Sequence, residues 1–94
     1  MPFAAAISIT DVDSERQVSG RTSDLSVRGC FMATPTSFGP GVKIRITIVH
    51  AGAKVVAFGR VVYAHAEGMG VAFTKIEASD QEVLEGWISD LRDN

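Results

Sequence analysis

Between Val42 and Ile48 the chain alternates without a break. Val42, Ile44, Ile46 and Ile48 are apolar, while Lys43, Arg45 and Thr47 are charged or polar. A period of two describes an extended strand with one buried and one wet face. Shorter versions of the pattern recur along the chain. Ala5, Ile7 and Ile9 point one way within Ala4–Thr10, with Ser8 and Thr10 pointing the other, and Val71 and Phe73 share a side within Met69–Lys75. Lys54–His65 is long, β-branched and apolar on both faces, and Gly59 at its centre marks a bulge or bend. Glu15–Ser23 is an exposed strand with Val18 its only large apolar member, and Cys30–Thr34 is a short apolar strand ended by Pro35. Asp11–Ser14, Ser37–Gly41, His50–Ala53 and Glu67-Gly68 are the turns and loops between them.

After residue 78 the period changes. Ser79-Asp80-Gln81-Glu82 has the form of a capping box, in which Ser79 and Glu82 satisfy each other's free N–H groups. Val83, Leu84, Trp87, Ile88 and Leu91 then fall on a single helical stripe. Gly86 in mid-helix costs about 1 kcal/mol relative to Ala. Six short strands and one terminal helix predict a mainly β fold. The expected architecture is a small six-stranded antiparallel β-barrel with one C-terminal α-helix. The barrel spans about residues 4–76 and the helix about 80–92, in one domain over 1–94. The Trp87 stripe must cover an open side or end of the barrel.

A chain of 94 residues buries roughly 60–65% of its unfolded surface and supports a single core. A net charge of −2 and a pI near 5.5 argue against a general binder of nucleic acid or anionic membranes. No apolar run approaches the roughly 20 residues that span a bilayer, so no membrane insertion is expected. Met1-Pro2-Phe3-Ala4 does not read as a secretory signal. Cys30 is the only cysteine and reads as a small buried apolar residue, which fits a reducing, cytoplasmic setting. His50 and His65 have no carboxylate or cysteine at ligand spacing, so no metal is expected. Neither an acid–base pair nor an activated nucleophile appears, so the chain reads as a non-enzyme without a cofactor.

One polar stretch interrupts the strands. Asp24-Leu25-Ser26-Val27-Arg28-Gly29 places a carboxylate, a hydroxyl, a guanidinium and a bare backbone close together. Such a group can grip a polar ligand. It also suits an ordinary turn, because Asp and Ser bond their own backbone and Gly needs no room for a Cβ. Arg28 is either a phosphate contact or an exposed strand-edge arginine, and Arg60 is expected to lie along the surface of its strand.

Three stretches resemble the PilZ family, bacterial modules associated with the second messenger cyclic di-GMP. Asp24-x-Ser26-x-x-Gly29, followed by Cys30–Ala33, matches the family's Asp/Asn-x-Ser-x-x-Gly motif and its following strand. Gly59-Arg60-Val61-Val62-Tyr63 resembles the fifth strand, and Gly68–Phe73 with the helix Asp80–Leu91 resembles the closing strand and helix. The resemblance implies a PilZ-like split barrel that binds cyclic di-GMP through the hexad and a downstream protein partner. It assigns Asp24, Ser26 and Gly29 to the ligand, with Arg28 and Arg21 beside them as partial substitutes for a missing feature. That feature is the family's Arg-x-x-x-Arg pair before the first strand. Arg16 and Arg21 are separated by four residues and follow the first strand, so the pair is not carried onto them. The resemblance leaves two functions open: a cyclic di-GMP receptor, weak for want of the arginines, or a ligand-independent adaptor that binds another protein.

Overall fold

The computed structural model describes residues 2–92, with side chains over 4–91. Six strands precede one helix: β1 (Pro2–Asp11), β2 (Gln17–Leu25), β3 (Gly29–Ala33), β4 (Lys43–His50), β5 (Ala53–His65), β6 (Gly68–Ile76) and α1 (Ala78–Arg92). Every pairing is antiparallel, and the strand order β1-β2-β3-β6-β5-β4 closes on itself as a barrel. Two three-stranded meanders, β1–β3 and β4–β6, therefore zip together along β1–β4 and β3–β6. Closure leaves no strand edge to pair with another chain.

The strict alternation of β4 turns Ile44, Ile46 and Ile48 inward, each at most 1% exposed. Ile7 and Ile9 from β1, Met32 from β3, Val55 and Val61 from β5, and Met69 from β6 complete the interior. Leu84, Trp87 and Ile88 of α1 are buried and join the same core, and α1 packs on β5. His50, at the end of β4, meets Trp87 edge-on at 5.5 Å. The predicted stripe is thus the buried face of the helix.

The structure differs from the sequence expectation at several points. His50 ends β4 and Ala53 opens β5, which shortens the turn expected over His50–Ala53. Gly68 opens β6 instead of ending a turn. The helix begins at Ala78, so Ser79 lies inside its first turn and cannot cap it. The first intrahelical bond runs from the Gln81 N–H to the Glu77 carbonyl (2.8 Å), which makes Glu77 the capping position. Phe38 lies in a loop as expected, but its side chain is 5% exposed and belongs to the core, with the Arg16 guanidinium 5.8 Å above its ring. The polar hexad is shorter as a turn than it looked, because Asp24 and Leu25 extend β2 and Gly29 already belongs to β3.

Cys30 is buried within the barrel. Burial, and then the negative charge of Asp24, push its thiol up to about 12. The ordinary value is 9.0, so between about pH 9 and 12 the unfolded chain loses a proton that the folded chain keeps. Stability is full below pH 9 and falls above it by about 1.4 kcal/mol per pH unit for this group. Urea unfolding at pH 8 and pH 10 should show a steeper loss for the native chain than for Cys30→Ala. Equal slopes would contradict the burial.

Candidate functional site

The β2–β3 turn is held by Ser26 and Gly29. The Ser26 N–H donates to the Gly29 carbonyl at 2.9 Å, and the Ser26 hydroxyl donates to the same oxygen at 3.3 Å. The Arg28 N–H in turn donates to Ser26 Oγ at 3.3 Å. Only Val27 and Arg28 are left at the tip. The Phe73 N–H donates to the Arg28 carbonyl at 2.8 Å, which ties the turn to β6. Ser26 therefore works as a turn residue whether or not a ligand uses its remaining lone pair.

Gly29 has a steric reason of its own. It pairs with Ala72 across the β3–β6 seam, and a Cβ there would run into the carbonyl oxygen of Val71. The glycine is demanded by how closely two backbones approach at the point where the meanders join.

A register shift between Thr22 and Asp24 turns Asp24 outward opposite Phe31, while Leu25 points in and is 1% exposed. A second shift, between Val61 and Tyr63, leaves both Val62 and Tyr63 on the outside, 54% and 49% exposed. Between these strands lies β6, whose outward positions here are Gly68 and Gly70. Side chains from both flanks fold over them. A Cβ on Gly70 would strike the Tyr63 ring, and one on Gly68 would meet Phe31. Phe31, Tyr63 and His65 consequently lie nearly parallel, with centroids 5.5–6.3 Å apart and planes within 25°. The Glu67 N–H donates to Nδ1 of His65 at 3.3 Å. Aromatic cover over strand glycines steadies a sheet, and it also tiles the outer wall with flat apolar surface.

The turn and two of the rings, Phe31 and Tyr63, border one pocket of about 290 Å³, open to solvent. Asp24, Leu25, Ser26 and Gly29 form one side, Cys30 and Phe31 continue along β3, and Val62, Tyr63, Gly70 and Val71 complete it. Its size is at the lower end for small-molecule sites. Three of the five residues singled out in the sequence, Asp24, Ser26 and Gly29, are thus brought together. Arg28 at the turn tip and Arg21 on β2 are exposed and stand outside the lining. Phe31, Val62 and Tyr63 were missed. Their signal was the Gly68-x-Gly70 spacing, which leaves outward room for large neighbours. Among the described residues no group of three or more His, Cys, Asp or Glu is placed to hold a metal ion.

A PilZ domain model matches residues 3–90. The chain belongs to the PilZ domain family. Two solved structures show the same fold. The PilZ domain of CeSA from a cellulose-synthesizing bacterium aligns with a TM-score of 0.76 and 20% identity, over 98% of this chain and 96% of that one. The inhibitor of motility MotI/DgrA of Bacillus subtilis aligns with a TM-score of 0.79 and 17% identity. That alignment takes in all of this chain and 49% of the other, so this PilZ domain corresponds to about half of it. No curated protein sequence matches the chain. At the level of the family, a PilZ domain is a non-catalytic receptor or adaptor module for cyclic di-GMP signalling. No helix among the described residues of this PilZ domain is long and apolar enough to cross a membrane.

Proposed function

We propose that this PilZ domain is a cyclic di-GMP receptor whose ligand docks on the outer wall of the barrel. One observation carries the reading: the Asp24–Ser26–Gly29 corner and the aromatic tiles share one pocket. A cyclic purine dinucleotide offers flat bases, guanine N–H donors and phosphate oxygens. Asp24 accepts from a guanine N–H, and Ser26 Oγ, whose proton goes to the Gly29 carbonyl, accepts from a donor on the base edge. The exposed face of Tyr63 takes a base by stacking. Arg28 and Arg21 reach in from the rim to supply positive charge, since a guanidinium serves both phosphate and the guanine O6/N7 edge.

No Arg-x-x-x-Arg pair occurs within the 94 residues, and this sets the expected strength. Each bidentate guanine contact is worth about 1–3 kcal/mol, so two missing arginines weaken binding by roughly a hundredfold or more. A second reading is a ligand-independent adaptor that acts through a protein partner, as the fold shared with an inhibitor of motility suggests. Titration calorimetry with cyclic di-GMP separates the two. The receptor reading expects binding heat that disappears in the Asp24→Ala, Ser26→Ala double variant. No heat from the native chain at tens of micromolar would select the adaptor, and heat that survives the double substitution would place the ligand elsewhere.

A further inference from the structure

All eleven Asp and Glu of the chain lie outside residues 25–66, a stretch that carries five of its nine Lys and Arg. Folding lays two strands of that stretch, β4 and β5, side by side. Their outer face is therefore a wall without a carboxylate of its own. Lys43 stands directly opposite Arg60, and Arg45 opposite Phe58. On the other side of Phe58, β6 adds Lys75. All five side chains are exposed, the Phe58 ring by 44%. None of the four cations has an ion pair with another described residue. Like charges placed directly across two strands cost a sheet stability, and an exposed ring among them gains the fold nothing. A surface of that composition matches an occupant that brings carboxylates and one apolar side chain.

The surroundings decide which kind of occupant fits. Three strands are roughly 10 Å across, and Lys43 to Arg45 spans about 7 Å, so the basic footprint matches only a turn or two of a helix or a short extended segment. Glu77, on the link from β6 to α1, and Glu82, Glu85 and Asp90 on α1, which packs on β5, are exposed to solvent. A bilayer surface or a nucleic acid duplex continues its negative charge past the footprint and onto those carboxylates, where it is repelled. A short acidic peptide segment stops at the edge.

We propose that the outer β4–β5–β6 wall centred on Phe58 docks a short acidic segment of a protein partner. The partner's carboxylates meet Lys43, Arg45, Arg60 and Lys75, and an apolar side chain lies on Phe58. This surface is distinct from the ligand pocket and stands whether or not a dinucleotide binds there.

The test is fluorescence anisotropy of the full chain with a labelled peptide of roughly 14 residues, composed of Glu and Leu at amphipathic helical spacing. A Gln/Leu peptide of the same pattern is the control. Binding of the Glu/Leu peptide is expected, weakening with salt and by about tenfold or more in Arg45→Glu with Arg60→Glu. Phe58→Ser should weaken it separately, and the control peptide should not bind. Thermal melts verify that both variants fold, since all three positions face solvent. Absence of binding, or binding unchanged by the charge reversal, overturns the proposal. So does preferential binding of phosphatidylglycerol vesicles or duplex DNA that the same substitutions abolish, or self-association of the chain that they abolish.

Discussion

Gly29→Ala is expected to lower the melting temperature by more than 10 °C, although the substitution adds one methyl group to a small side of the barrel. The new Cβ would meet the Val71 carbonyl oxygen, which belongs to the partner strand's backbone and cannot rotate away. Relief requires β3 and β6 to separate where the two meanders close, at the pairing of Gly29 with Ala72. Overpacking against a mobile side chain costs about 1–3 kcal/mol, and a clash with backbone belongs at or above the top of that range. A domain of this size loses roughly 4–8 °C per kcal/mol. Gly39→Ala is the matched control, because a Cβ at Gly39 has nothing within 4 Å. Thermal melts followed by circular dichroism should leave that variant within a degree or two of the native chain. Equal melting of the two variants would show that the seam is not closed as described.

Tyr63→Ala is expected to weaken cyclic di-GMP binding by roughly 5- to 150-fold, the equivalent of about 1–3 kcal/mol for one stacked base. The ring is half exposed and lies flat over Gly70, so it contributes contact area to a ligand at little ordering cost. Tyr63→Phe should bind nearly as the native chain does, because it keeps the π-face and loses only the hydroxyl. Calorimetric titration of the three proteins measures the effect. An Ala variant that binds as tightly as the native chain would remove the aromatic wall from the ligand site.

These two residues differ in how far the sequence revealed them. Gly29 was visible twice, in the Asp-x-Ser-x-x-Gly pattern and as a position where backbone geometry was the simpler explanation. Most of the barrel was legible for the same reason that Val42–Ile48 was: a period of two survives wherever one face is buried. Tyr63 was not legible. Counting in steps of two from the buried Val61 puts Tyr63 inside, and only the register shift between them moves it outward. One extra residue exchanges the two faces of a strand, and nothing in the composition of Lys54–His65, apolar on both sides, fixes where it falls. The irregularity beside Gly59 is not a bulge of β5: Phe58 and Gly59 pair with Lys75 and Phe73, so the extra residue is Thr74 on β6. Phe38 was hidden differently. The Gly and Pro residues around it signalled a loop correctly, but burial of a loop side chain depends on what the rest of the barrel leaves uncovered. The helix start moved because Ser79 and Glu82 fit a capping box by spacing alone, whereas the chain leaving β6 at Ile76 is already helical by Ala78.

The Asp24–Ser26 corner lies between these cases. Its place at a β2–β3 connection was readable, and its outward aim depends on the register shift after Thr22. Ser26 has a full role in the turn, so its presence alone does not distinguish a ligand site from a hairpin. The contribution of the fold is the neighbourhood, which sets a carboxylate and a hydroxyl beside the aromatic tiles of β3 and β5.

Two-dimensional amide NMR with cyclic di-GMP titrated into the full chain tests that neighbourhood most directly. Saturable shifts concentrated at Asp24, Ser26, Gly29, Phe31, Tyr63 and Gly70 are expected, with the amides of β1 and β4 unmoved. Saturable shifts on β1 and β4 that leave those six amides in place, or no saturable shift at all, would contradict a dinucleotide receptor built on this wall.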